Sequence, residues 1–500
     1  MRRESGILLS ITSLPSKYGI GCFSKEAYDF VDKLEACGQT YWQILPLGPT
    51  SYGDSPYQSF STYAGNPYFI SLEDLIEEGV LTEEECDSED FGDDPTSVDY
   101  EKIYKSRYKL LRKAYERSNV GEDPAFAEFC RNNSWWLRDY AIFMAVKEVF
   151  GGQEWTKWAE DIRLRWQNAM EYYQTEYYFD IQFHEYMQYK FSCQWKKLKD
   201  YANSKGIKII GDIPIYVAMD SADTWAHPEL FQLDRDNVPL AVAGCPPDGF
   251  SATGQLWGNP LYRWDYHRQT GFAWWIQRLA HCYKLYDVVR IDHFRGFDEY
   301  FSIPADAEDA RTGHWEKGPG IDLFHAVKYA LGEKQIIAED LGYMTDSVRQ
   351  LVRESGYPGM KVLEFAFDSR DSGCASDYLP HNYPENSVVY TGTHDNETLA
   401  GWLDSITSEE RTLMREYLCD TRTAKKNLNL PLICLIMRSA SAMCIIPIHD
   451  YLGLDNSCRM NTPSTVGKNW KWRIVPEQMT EELLETIASV TKRYGRWNWK

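Results

Sequence analysis

The most constraining feature of this 500-residue chain is a recurrence: short apolar, β-rich runs that end in polar or glycine residues and are separated by helical patterns. Eight such runs can be read: GILLSIT from Gly6, YWQILPL from Tyr41, IKIIGDIPIYV from Ile207, DVVRIDHF from Asp287, QIIAEDLG from Gln335, MKVLEFAF from Met360, SVVYTGTHD from Ser387 and MCIIPIHD from Met443. Near-continuous apolar runs are what parallel strands look like when both faces are covered. After the first run, Ser24 stands where a helix N-cap belongs. Ala27, Phe30, Val31 and Leu34 then fall on one face, with Gly38 just past the end. Eight strands alternating with helices predict a closed (β/α)8 TIM barrel rather than an open sheet.

The spacings predict insertions into that barrel. Met360 to Ser387 is close to the roughly 30 residues of a minimal βαβ unit. Tyr41 to Ile207 is far longer, which predicts a mainly helical insertion over 75–180. Part of it is acidic and loop-like, EEECDSEDFGDDP from Glu83; part is strongly helical, WWLRDYAIFMAVKEVF from Trp135. A loop-rich insertion is expected over 216–264. No fixed-period repeat or low-complexity linker divides the chain, so residues 1–500 read as one catalytic barrel. No C-terminal β-domain is expected after the eighth strand.

Composition removes several function classes. The net charge of −21 argues against a nucleic-acid-binding surface. With 43% hydrophobic and 25% charged residues the chain is in the ordinary globular range. The apolar run behind Arg2 and Arg3 is too short for a signal peptide and no cleavage site follows. Leu430 to Ile448, broken by Arg438 and serines, reads as a buried helix and a strand, not a membrane span. The 12 cysteines form no C-x-x-C pair and are expected as free thiols in a cytoplasmic protein. Aromatic residues reach 15%, and while most serve a core, their faces also suit sugars.

Catalytic residues of such a barrel project from strand C-termini. The third run ends in Asp212, the fourth in Arg290-Ile291-Asp292-His293, the fifth in Glu339-Asp340, the seventh in His394-Asp395-Asn396-Glu397 and the eighth in His449-Asp450. A rim of carboxylates fits a hard-metal site or a glycosidase pair, and a single one can simply cap the next helix. Arg290 and Asp292 lie on the same side of their strand. A cation there holds Asp292 ionised, which an anionic nucleophile needs, whereas a metal site gains nothing from a cation beside its ligand.

At these residues the chain resembles the 4-α-glucanotransferases (amylomaltase or disproportionating enzyme, glycoside hydrolase family 77, in the α-amylase clan). The motifs are SYGDSPYQSFSTYAGNPYF from Ser51, KIIGDIPIYVAMDSADTWA from Lys208, PPDGFSATGQLWGNPLY from Pro246, VVRIDHFRGF from Val288, IIAEDLG from Ile336, TGTHDNET from Thr391 and RMNTPSTVGKNWKWR from Arg459. The resemblance implies Asp292 as nucleophile, Glu339 as general acid/base and Asp395 as the carboxylate that grips the reacting sugar. It also implies substrate contacts from Tyr57, Asp212, Asp248, Trp257, Arg290, His394 and Asn461. The implied partners are α-1,4-glucans and a glucose acceptor, with no metal or other cofactor, no nucleic acid and no membrane. Departures from the family pattern are His449 and Glu364, each where Gln is expected, and Ser464 in place of Gly. An α-amylase-like hydrolase, a glucan-binding barrel without catalysis and a metal hydrolase are the competing readings.

Overall fold

The computed structural model describes residues 2–51, 53–247, 251–342, 344–369 and 375–499. Asp248 and the neighbouring Gly249 and Phe250 lie outside the described residues. The strands in chain order are β1 (Glu4–Leu8), β2 (Tyr41–Gln43), β3 (Lys208–Ile213), β4 (Ala241–Cys245), β5 (Gln255–Pro260), β6 (Val288–Ile291), β7 (Glu299–Pro304), β8 (His314–Lys317), β9 (Ile336–Ala338), β10 (Gly359–Val362), β11 (Ser387–Tyr390) and β12 (Met443–Pro447).

Eight of these close a barrel in the order β1-β12-β11-β10-β9-β6-β3-β2, every pairing parallel. Each corresponds to one of the eight apolar runs, so the chain is a (β/α)8 barrel. Leu8, Tyr41, Ile210, Val288, Ile337, Met360, Val388, Tyr390 and Ile445 form one buried cluster drawn from all eight barrel strands. Their alternate neighbours, such as Ile7, Ile209, Val289, Ile336 and Ala338, join the large cluster shared with the surrounding helices. The period-two alternation therefore separates lumen from outer wall. Closure beside β1 requires a residue without a side chain, because a Cβ on Gly6 would lie 2.6 Å from Tyr41 Cβ.

Helix Lys25–Ala36 buries Ala27, Phe30, Val31 and Leu34 as expected, but the Ser24 hydroxyl does not cap it. Ser24 instead donates to the Glu26 carboxylate and lies 2.8 Å from the Ser16 hydroxyl. Between β2 and β3 run helices that include Tyr100–Arg117, Pro124–Val149, Gln167–Glu176 and Tyr178–Ser204. The acidic stretch read as loop begins with a short helix, Glu83–Asp87, because Thr82 and Glu85 form a reciprocal capping box.

A second sheet, β5-β4-β7-β8, is antiparallel and was not anticipated. Two of its strands fall inside the stretch expected to be loop-rich. They are short, β5 carries Gly258 and ends at Pro260, and β4–β5 pairing shifts register between Val242 and Gly244. Such strands carry almost no periodic signal.

Candidate active site

Parallel register builds the centre of the site. Asp212 on β3 is the direct partner of Arg290 on β6. Both sit two residues above lumen-facing Ile210 and Val288, so both point into the barrel. Arg290 Nη1 contacts the two Asp212 carboxylate oxygens at 2.8 Å each, and Nη2 lies 3.0 Å from Asp292 Oδ1. Arg290 and Asp212 are fully buried, whereas the Asp292 side chain is 29% exposed at the rim. One guanidinium thus serves two carboxylates, and the accessible one is Asp292.

Glu339 lies beyond the end of β9, and its amide donates to Ile291 O at 3.1 Å. Its carboxylate accepts from the backbone N–H of His293 at 2.7 Å and of Leu341 at 2.9 Å. Those bonds favour the ionised form, but burial first and the charge of Asp292 second outweigh them, raising the Glu339 pKa to about 7. His293 adopts φ +53°, which turns its N–H toward Glu339. Burial pushes its imidazole down to about 4, so the ring is neutral at pH 7.

A third group converges from the loop after β11. Burial by itself would raise the Asp395 pKa. His394 Nε2 at 3.3 Å and Asn461 Nδ2 at 2.6 Å reverse that and hold the carboxyl well below its usual range. Tyr57, from the loop after β2, donates to Asp212 Oδ2 at 2.9 Å, lies 3.3 Å from His394 Nδ1 and stacks on the His394 ring at 5.0 Å. Trp257, on β5, meets His293 edge-on at 4.9 Å. Tyr57, Asp212, Arg290, Asp292, His394, Asp395 and Asn461 therefore share one network. Glu339 and Trp257 join it through His293.

Sequence reasoning missed three supports. His293 holds Glu339 through its backbone. Arg459 donates to Asp395 O and Asn461 O, each at 2.7 Å. Trp470 packs against Tyr57 and His394 with φ +65°, costly for a bulky residue. Arg459 and Trp470 both lie in the RMNTPSTVGKNWKWR motif, which was the available signal.

Two strand-end carboxylates do other work. Asp340 accepts from the Met360 N–H at 2.7 Å. Asp450, fully buried, accepts from Leu399 N–H at 2.7 Å and from the Thr391 hydroxyl. His449 is buried beside Asp450, with Nε2 at 3.5 Å, and packs on Trp472. Glu364 is buried under the same loop, its Oε1 without a hydrogen-bond partner. Burial, then Asp450 and Glu397, raise its pKa well above normal. Ser464 has φ +64°, the left-handed region in which Gly is the easy residue.

A 4-alpha-glucanotransferase family model matches residues 9–478. A 4-alpha-glucanotransferase of Streptococcus pneumoniae serotype 4 is 49% identical, over 99% of this chain and 98% of its own. That of Clostridium butyricum is 47% identical, over 98% of this chain and 100% of its own. Among solved structures, an amylomaltase from Streptococcus agalactiae in complex with acarbose superposes with a TM-score of 0.96 at 43% identity, covering 99% of this chain and 100% of that one.

Proposed function

The chain belongs to the 4-alpha-glucanotransferase family and is an enzyme acting on α-1,4-glucans, and from that premise we propose that it moves a glucan segment to the 4-hydroxyl of glucose or another α-1,4-glucan through a covalent glycosyl-Asp292 intermediate. The observation that carries this is the different setting of two neighbouring carboxyls. Asp292 lies 3.0 Å from Arg290 and is accessible at the rim, while Glu339 is buried and raised to about 7, so that a large share of it is still protonated at neutral pH.

Asp292 attacks the anomeric carbon as the Glu339 carboxyl protonates the departing glycosidic oxygen. The bond from sugar carbon to leaving oxygen breaks and an ester to Asp292 forms. The shortened glucan leaves with the proton. Glu339, now a carboxylate, takes the proton from an incoming 4-hydroxyl, whose oxygen displaces Asp292. Two inversions retain the α configuration. Asp395, kept anionic by His394 and aligned by Asn461, accepts hydrogen bonds from the reacting ring. Tyr57, Asp212 and Arg290 shape the floor of that subsite. Trp257 on β5, and Asp248 beyond the described residues, face the substrate in this reading. The chain acts as one catalytic barrel with the insertions 75–180 and 216–264, and none of these steps calls on a metal or other cofactor.

The test is incubation with maltotriose and separation of products by size. Glucose plus a ladder of longer and shorter glucans is expected, whereas a steady rise in reducing ends without longer products would mean hydrolysis. Asp292→Asn should lower turnover by at least about a thousandfold while leaving the melting transition in place. Substantial transfer by a folded Asp292→Asn enzyme would remove Asp292 from the mechanism.

A further inference from the structure

The helical insertion carries an aromatic platform that the reaction chemistry does not use. Tyr172, Tyr173, Tyr177, Tyr178 and Phe179 occupy the end of helix Gln167–Glu176 and the start of helix Tyr178–Ser204. Tyr173 and Tyr177 stack at 5.7 Å and 21°, and Tyr172 meets Tyr173 edge-on at 5.2 Å. Inward, Tyr173 lies 6.5 Å from Phe150, which stacks on buried Trp158 at 5.7 Å. The inner rings are thus anchored to the core. The outer ones are open to solvent: Tyr172 is 56% exposed, Tyr178 47% and Phe179 71%. Tyr178 and Phe179 are in contact at 5.4 Å.

Clustered, exposed rings on a rigid support are uncommon on a protein surface without a partner. Charge selects the partner. Exposed Glu171 and Glu176 flank the rings on a chain of net charge −21. A second copy bound through the same face would bring these carboxylates together, and anionic membranes or nucleic acids would be repelled. A neutral polyhydroxyl chain meets no such penalty. Its apolar sugar faces stack on rings, and its hydroxyls donate to carboxylates and exchange hydrogen bonds with tyrosine hydroxyls.

We propose that Tyr172, backed by Tyr173 and Tyr177, and the adjoining pair Tyr178–Phe179 form an ancillary binding site for long α-1,4-glucan chains, outside the catalytic rim. This rests on the glucan-transfer reading and adds a site to it. A chain held on the platform raises the local concentration of its own polymer at the enzyme, so the gain falls on long substrates and not on short ones.

The experiment compares unmodified enzyme, the double variant Tyr172→Ser/Phe179→Ser and the ring-preserving Tyr172→Trp. Each is run through native gels containing glycogen and assayed on maltotriose. The double variant should bind glycogen about tenfold more weakly. Its maltotriose kcat/KM should stay within about twofold. Tyr172→Trp should bind as the unmodified enzyme does. Single Phe179→Ser carries the comparison if the double variant does not fold. Equal retardation of unmodified enzyme and serine variants overturns the proposal. So does sedimentation showing that the serines merely convert a dimer to a monomer. Failure of the unmodified enzyme to disproportionate maltotriose would count against the transfer reading itself, and the glycogen comparison would still judge the platform.

Discussion

Arg290 illustrates what one side chain decides. The spacing of Arg290 and Asp292 indicates a same-side pair, but the guanidinium makes its two shortest contacts to Asp212, from another strand. Asp292 receives the other terminal nitrogen, Nη2, and stays accessible. The proton on Glu339 follows from the same crowding. Because its folded pKa is raised to about 7, Glu339 is a competent acid below that pH and loses competence above it. The alkaline limb of kcat/KM should therefore fall near pH 7, about tenfold per pH unit beyond it. Glu339→Gln should abolish that limb, and it should spare an α-glucosyl fluoride donor far more than a glucan, because fluoride leaves without a proton. Equal loss on both donors would show that Glu339 is not the acid. Glu364 makes a second prediction. A carboxyl whose folded pKa lies above its unfolded value supports the fold most fully below the unfolded pKa, and that support is lost as pH rises through the folded pKa. Glu364 is such a group, facing Asp450, Glu397, Arg459 and Asn396. The neutral isostere Glu364→Gln should leave Tm unchanged near pH 4 and raise it by about a degree or more at pH 8. A Tm difference independent of pH would mean that Glu364 is not held protonated.

Elements set how these residues meet. β3 and β6 pair in register, which makes Asp212 and Arg290 neighbours without any loop having to find them. The loop after β11 is pinned from below by Asp450, through Thr391 and Leu399, and tied from beside by Arg459 and Asn461. Its display of His394 and Asp395 is therefore rigid, as a preorganised site needs. The antiparallel sheet brings Trp257 on β5 against His293, whose backbone holds Glu339. Trp257 thus packs on the residue whose backbone holds Glu339. Trp257→Ala should lower transfer more than formation of the glycosyl-enzyme, since acceptor alignment is worth up to about a hundredfold and water needs none. The ratio of new reducing ends to glucose released from maltotriose should rise. A fall in both rates at a constant ratio would assign Trp257 to donor binding alone.

At the scale of the molecule, the barrel brings together residues from almost the whole chain, from Tyr57 to Asn461, on one rim. Among the described residues no helix is long and apolar enough to cross a membrane. The barrel itself was legible because its signal is local: each buried strand must be apolar along its own length, and each strand end must return to polar residues. Asp212, Asp292, Glu339 and Asp395 could be picked out for the same reason, as charged residues in the polar ends of apolar runs. The second sheet was not, since its strands are short and irregular, with Gly258 and Pro260 in β5 and a register shift against β4, and so carry no periodic pattern. Nor was the difference between equivalent-looking carboxyls. Asp340 and Asp450 resemble Glu339 and Asp395 in sequence, yet Asp340 turns to the Met360 amide on β10 and Asp450 to the Leu399 amide and the Thr391 hydroxyl. Whether a strand-end carboxyl becomes nucleophile, acid or anchor depends on burial and on cations and N–H donors that reach it from other strands. The chain's own pattern determined that a barrel would form and where charge would lie on its rim. Only the folded arrangement decided which of those charges keeps a proton, because electrostatic energy depends on distance and solvent exclusion, and neither is a property of a residue's place in the sequence.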